Sequence, residues 1–200
     1  MGSLMKSDRP VQERGNRRGF SLVELMISLA IFGVVMGVVF GFLVGARNSY
    51  SDTRSRVQYQ QSMRAVMSLM TREVRSTGCD LSSNGFEPFT IATTASMQCN
   101  MDLNGDGDVV DQSPDESIAY AFNAATGELV RFDGVRAMTI LRGLNGLTFT
   151  YFDSNGAVLG AVPLSAVDRS MIRFVEIMMD GETDRGEPVN YTTRIALRNG

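Results

Sequence analysis

Histidine is missing from all 200 residues of this chain. That removes every catalytic triad, general base and metal ligand that depends on an imidazole. Cysteine is scarce: Cys79 and Cys99 are the only two. Two thiols are too few for a cysteine-rich zinc site or a disulfide-dense scaffold. There is no excess of positive charge, since the formal net charge is −3; nothing favours the basic patch that general nucleic-acid binding needs. The chain also lacks a Gly-x-Ser-x-Gly elbow, a phosphate-binding loop and a dinucleotide fingerprint. No internal repeat is visible, and scattered carboxylates single out no catalytic pair. The length suits one globular domain plus an extended segment.

What the chain does have is an uneven distribution of charge around one apolar run. Residues 1–19 carry Lys6, Arg9, Arg14, Arg17 and Arg18 against Asp8 and Glu13, while the remainder holds 14 basic and 20 acidic residues. Between basic head and acidic body lies FSLVELMISLAIFGVVMGVVFGFLVGA, residues 20–46. From 25 to 46 there is no charge, and Ser28 is the one clearly polar side chain. As a helix those residues extend about 33 Å, enough for a hydrocarbon core of roughly 30 Å. The basic flank predicts a cytoplasmic N-terminus, with everything after Ala46 on the far side.

Two ordinary readings fit this segment poorly. A secretory signal ends in a small-residue cleavage site after its apolar run, but here Arg-Asn-Ser-Tyr follows Ala46. A simple single-span anchor leaves Glu24 unexplained. A carboxylate within an apolar segment costs up to ~3 kcal/mol at the bilayer centre, less near the interface, and normally has a partner.

The string Arg18-Gly19-Phe20-Ser21-Leu22-Val23-Glu24-Leu25 closely resembles the class III signal of type IV prepilins and type II secretion pseudopilins. The resemblance implies cleavage after Gly19 by a prepilin peptidase on the cytoplasmic face and N-methylation of the new terminal Phe20. It also implies that Glu24, fifth in the mature chain, pairs with the terminal amine of a neighbouring subunit during assembly. Such a pairing matters most where the dielectric is low. Gly33, Gly37, Gly41 and Gly45 recur every fourth residue and wind slowly around a helix as one smooth stripe. Small-residue stripes let helices approach closely in lipid, so helix packing is one reading; the general abundance of glycine in membrane helices is the other. Where many family members carry a helix-kinking proline, this chain has Gly41.

Residues 47–77 contain neither proline nor glycine. Tyr59, Met63, Val66, Met67, Met70 and Val74 fall at helical spacing, with Arg54, Arg56, Arg64, Arg72 and Arg75 mostly off that stripe. This predicts an amphipathic helix continuing from the span, its apolar face against a head, ending at Gly78. The methionines read as core filler. In the head, strands are expected at 89–92, at 117–122 and 128–132 around the turn 123–127, at 147–152, at 157–164 after a turn at 153–156, at 171–179 and at 190–197. The expected fold is α+β: a long N-terminal helix, membrane-spanning in its first half, packed against one antiparallel sheet. The expected parts are a leader at 1–19, a transmembrane and filament-core helix at 20–46, its amphipathic extension at 47–78, and a β-rich head at 79–200. The order of the head segments is similar to minor pilins of the PilW kind, and close in pattern to the type II secretion minor pseudopilin J.

Three clusters in the head carry candidate chemistry. Asp102-Leu103-Asn104-Gly105-Asp106-Gly107-Asp108 matches the opening of an EF-hand-type loop, in which alternating oxygen side chains converge on one hard cation. The twelfth position is Ser113 rather than Glu, so Asp111, Asp115 or Glu116 would have to close the shell, and no helical pattern flanks the loop. Calcium that pins a loop is the expectation; a solvated acidic turn is the alternative. Cys79 and Cys99 suggest a disulfide, because the extracytoplasmic side tolerates one; it would close a loop of about 20 residues and add ~3 kcal/mol. Asp180, Glu182, Asp184 and Glu187 read as a solvated hairpin loop.

Together these readings point to a structural protein without enzymatic activity or a required cofactor, calcium being the one ligand in view. The resemblance implies an inner-membrane protein with a periplasmic head that later joins a pilus or pseudopilus. Its implied partners are the prepilin peptidase, other minor and major pilins, and the inner-membrane assembly platform, with no nucleic acid. A minor pilin that initiates or caps a type IV pilus is expected first, and a minor pseudopilin of a type II secretion system second. A membrane-tethered extracytoplasmic enzyme or a tip adhesin is the reading from another class.

Overall fold

A computed structural model describes residues 19–111, 113–160, 162–183 and 186–198, with the side chains of 48, 51 and 52 outside that description. Residues 1–18 of the expected leader (1–19) and Asp184 of the second acidic cluster also lie outside the described residues. The chain divides into two compact units, residues 1–49 and 50–200. One helix, α1 (Leu22–Ser76), contributes to both.

In the first unit, α1 begins where the Leu25 amide donates to the Ser21 carbonyl at 3.1 Å. Glu24 lies in its first turn, where exposed amide groups favour negative charge. Ser28 satisfies its hydroxyl inside the helix by donating to the Glu24 carbonyl at 2.8 Å. That leaves no side-chain donor to be placed in an apolar medium. The segment Leu22–Arg47 has a mean hydropathy of 2.7 and is long and apolar enough to cross a membrane.

The second unit packs the rest of α1 against two antiparallel sheets. The first is a five-stranded meander, β1 (Phe89–Ala92), β2 (Ser96–Asn100), β3 (Ser117–Asn123), β4 (Glu128–Phe132) and β5 (Ala137–Leu141), in sequence order. The second joins β6 (Leu144–Phe152), β7 (Phe174–Glu182) and β8 (Pro188–Ala196), with a short helix α2 (Ala166–Ser170) before β7. Alternation along the strands puts Ile118 and Tyr120 of β3, Leu147, Phe149 and Tyr151 of β6, and Val175, Ile177 and Met179 of β7 into the interior. On α1, Met63, Val66, Met67, Met70 and Val74 are buried in the same cluster, while Arg54, Arg56, Arg64, Arg72 and Arg75 are exposed. The amphipathic stripe is therefore the wall on which the head is built.

Turn chemistry explains the hairpins. Between β3 and β4 the Gly127 amide returns to the Asn123 carbonyl at 2.8 Å, and the Asn123 side chain accepts from the Ala125 amide. Gly127 has φ of 65°, and a Cβ there would stand 2.8 Å from the Leu144 carbonyl; glycine meets both demands. The same contact, with the Leu144 amide donating to the Gly127 carbonyl at 3.1 Å, stitches the two sheets together. Thr94 does so again, its carbonyl accepting from the Phe149 amide at 2.8 Å.

The head differs from expectation in several places: β2, β5 and α2 are elements beyond those expected. It holds two sheets rather than one, because β5 and β6 are not neighbours in a sheet. Residues 157–164 form no strand among those described; Val158 makes only an isolated bridge to Phe152, and the Leu164 amide turns away to the Ala92 carbonyl. Asp180 and Glu182 belong to β7, so the β7–β8 turn is tighter than expected, closed by the Thr183 amide on the Glu187 carbonyl at 3.0 Å.

Candidate functional site

Two parts of the molecule carry the sequence-derived site residues. The first is the start of α1. Phe20 is 82% exposed and no described residue of Leu22–Arg47 is buried. Gly33, Gly37, Gly41 and Gly45 all lie on this stretch, and a Cβ added to any of them would meet nothing within 4 Å. Their faces are open to whatever lies alongside. Glu24 is exposed and forms no ion pair among the described residues. An apolar surface of this length is unfavourable in water, so it calls for lipid or for other helices of the same kind.

The second part is the β2–β3 connection. Here carboxylate oxygens of Asp106, Asp108, Asp111 and Glu116 lie within 4.8 Å of one another. Asx-type bonds shape the loop: the Asp102 carboxylate accepts from the Gly105 amide at 2.6 Å, Asn104 from Asp106 at 2.9 Å, and Asp106 from Asp108 at 3.1 Å. The Asn104 side-chain amide donates to Asp106 and to Asp111. Crowding acts in both directions on these acids. The Asp108 amide and the Asn104 side chain hold Asp106 below the usual carboxylate range. Desolvation, then the charges of Asp106, Asp108 and Glu116, push Asp111 above it.

Of the residues suggested to close the loop, the structure brings Asp111 and Glu116 to the cluster and takes Asp115 elsewhere. Asp115 accepts from Arg131 at 2.8 Å. The same guanidinium bonds Glu73 of α1 at 3.0 Å, and Tyr120 donates its hydroxyl to Glu73. Burial works against the charge on Arg131, yet the bonds to Glu73 and Asp115 outweigh it and hold the group above its usual range. Burial first, and the Glu73 charge second, push the Tyr120 phenol up. Sequence reasoning missed this network. One signal was available: Glu73 stands three residues after Met70 and one before Val74, inside the apolar stripe.

The expected bridge between Cys79 and Cys99 is not formed; both are free thiols. Residues 78–80 run parallel to 100–102, with the Gly78 amide on the Asn100 carbonyl and the Asp102 amide on the Cys79 carbonyl. Cys79 therefore lies level with Met101, and Thr77 is beside the Cys99 thiol. An offset of two residues of extended chain, about 6.6 Å along the strand, combined with about 4.8 Å between strands, separates the Cα atoms by roughly 8 Å, beyond the usual Cα separation of about 4.4–6.8 Å for a disulfide. Desolvation pushes the Cys99 thiol up to about 12. In the second acidic cluster, Glu187 pairs with Arg56 at 3.1 Å and Glu182 accepts from Asn145 at 3.2 Å; both are exposed.

Residues 14–40 match the prokaryotic N-terminal methylation motif. The match spans the junction between basic leader and apolar helix and does not reach the head. It supports a pilin-like protein of the kind that a prepilin peptidase processes, anchored by its N-terminal helix and assembling with other pilins. No curated protein matches the chain.

Proposed function

We propose that this chain is a minor pilin, cut after Gly19, N-methylated at Phe20, and used to initiate or cap a type IV pilus. The observation that carries the reading is the apolar helix Leu22–Arg47, in which no described residue is buried, with a glutamate in its first turn that forms no ion pair among the described residues. Cleavage ahead of Phe20 creates a cation four residues from Glu24. In the membrane the helix is solvated by lipid; in a filament it packs against other minor and major pilins, where the open glycine faces permit close approach. The amine of one subunit and Glu24 of the next then neutralise each other away from water and set the register. The basic leader keeps the N-terminus cytoplasmic and sends the head to the periplasm, where the inner-membrane assembly platform extracts the subunit. The role is structural, with no catalytic step.

The test is mass spectrometry on filaments sheared from cells, paired with Glu24→Ala. The mature chain should begin at a methylated Phe20. The variant should be cleaved and inserted normally yet reach filaments at roughly a tenth of the parental level or less, the scale of a lost buried charge partner. An uncleaved leader in filaments, or full incorporation of Glu24→Ala, contradicts the proposal. Recovery with a secretion pseudopilus rather than a pilus would reassign the protein to a type II system.

A further inference from the structure

We propose that the β2–β3 loop is a calcium site, in which Asp106, Asp108, Asp111 and Glu116 supply ligands and the buried Asp102 anchors the loop that holds them. Four carboxylates gathered within 4.8 Å do not by themselves make a metal site. The independent observation is the state of the two buried acids. Glu116 and Asp102 are both 0% exposed. Each uses one oxygen well: Glu116 Oε1 accepts from the Leu103 and Asn104 amides at 2.8 and 3.2 Å, and Asp102 Oδ1 accepts from the Gly105 amide. Their second oxygens, Glu116 Oε2 and Asp102 Oδ2, have no hydrogen-bond partner among the described residues.

Buried polar atoms are nearly always satisfied, and a buried carboxylate oxygen without a partner is among the costliest exceptions. A lysine or arginine could have met the need. Among the described residues none forms an ion pair with Asp102, Asp106, Asp108, Asp111 or Glu116, and the nearby Arg131 is committed to Glu73 and Asp115. A bound cation resolves both problems at once, since it partners the bare oxygen of Glu116 and cancels the repulsion among the clustered acids.

The geometry selects the class of ion. All the donors are oxygens, which suits a hard cation. Two oxygens bound to one calcium at about 2.4 Å stand no more than about 4.8 Å apart, the spacing within which the cluster falls. The loop starts like an EF-hand and then departs from it. The closing carboxylate is Glu116, delivered from the residue before β3 rather than from a following helix. Magnesium demands a near-ideal octahedron and retains waters, whereas calcium accepts irregular, carboxylate-rich loops.

Occupancy has a structural consequence. The Asp102 amide is bonded to Cys79, just beyond the end of α1. Ser82 donates to the Gly105 carbonyl at 2.6 Å and Asn84 to the Gly107 carbonyl at 3.3 Å. A cation in the loop would therefore fasten the chain leaving α1 to the entrance of β3.

The experiment uses the full chain in detergent micelles, stripped with EDTA and titrated with calcium chloride or magnesium chloride by calorimetry and thermal melting. One calcium per chain should bind with a dissociation constant at or below about 1 mM, and the melting midpoint should rise with calcium and much less with magnesium. Glu116→Gln should weaken binding roughly tenfold or more. Because Glu116 is buried and its variant could misfold, the exposed Asp106→Asn provides a second reading. In EDTA it should remain folded with a midpoint close to the parent's, while its gain from calcium is lost. No binding and an unchanged midpoint at about 5 mM calcium would overturn the proposal. So would a calcium response undiminished in Asp106→Asn, and an equal response to magnesium would overturn the assignment to calcium.

Discussion

Residues 22–47 and 53–76 belong to one helix, yet they are completed in opposite ways. The first stretch is apolar all round and none of its described residues is buried. The second is apolar on one face only, and that face disappears under its own sheets. The contrast extends to the two glutamates. Glu24 faces outward without an ion partner among the described residues, whereas Glu73 is only 8% exposed and held by Arg131 and Tyr120. A helix that is hydrophobic all round must find its surroundings outside the chain; an amphipathic one is finished by folding. The same secondary structure thus supplies association from one half and a folding template from the other, and substitutions should separate the two halves.

The largest difference is expected between the glutamates. Removing one member of a buried ion pair leaves the other charge without compensation, which costs about 3–5 kcal/mol. Glu73→Ala should lower the stability of the head by about 4 kcal/mol, measured by denaturant unfolding of the full chain in detergent and read from the tyrosines. Glu24→Ala should leave the same transition in place. A loss below about 1 kcal/mol for Glu73→Ala would mean that Arg131 and Tyr120 do not depend on that carboxylate.

A smaller difference, by a mechanism without charge, is expected between methionines. Met70 is 0% exposed and Met36 is 39% exposed. Truncating a core methionine removes its packing and leaves a cavity, so Met70→Ala should cost about 3 kcal/mol. Met36 is not part of the buried core cluster, so Met36→Ala should fall within about 0.5 kcal/mol of the parent. Equal effects at the two sites would break the division of the helix into an associating and a folding half.

What could be read from sequence follows the same division. Helical periodicity is local, so the buried face of Met63, Met67 and Met70 was legible, as was the apolar span ahead of it. The β3–β4 hairpin was legible because Asn123 and Gly127 enclose a short turn between alternating runs. Ser96–Asn100 was missed because it has no β-branched residue and a single strongly apolar one, Met97; burial comes from its neighbours across the sheet. Which strands share a sheet depends on contacts distant in sequence, such as Gly127 with Leu144 and Thr94 with Phe149, so two sheets read as one. In the acidic loop the first acids follow a motif, but Glu116 lies beyond the EF-hand's closing position, and only the folded turn shows that it, not Asp115, completes the cluster. Glu73 and Arg131 are paired across 58 residues, a separation that no spacing rule spans.

The smallest expected effect concerns the thiols, and it compares two positions within the head. Cys99 is buried and its thiol is pushed up to about 12 from an ordinary 9.0, whereas Cys79 is partly exposed. Thiolate is the reactive form, so iodoacetamide at about pH 8 should label Cys79 first and reach Cys99 only on unfolding. The raised value also has a thermodynamic sign. A thiol that holds its proton more tightly when folded contributes stability that is fully present below the unfolded value near 9.0 and is lost as pH rises towards 12. At pH 10 that loss is about 1.4 kcal/mol. Cys99→Ala starts from a lower stability because of the small cavity, but it should decline less steeply between about pH 8 and 10. Parallel slopes in parent and variant would show that the buried thiol does not set the alkaline limit of the head. The tyrosines whose hydroxyls burial also pushes up, Tyr120 and Tyr151, would then account for it.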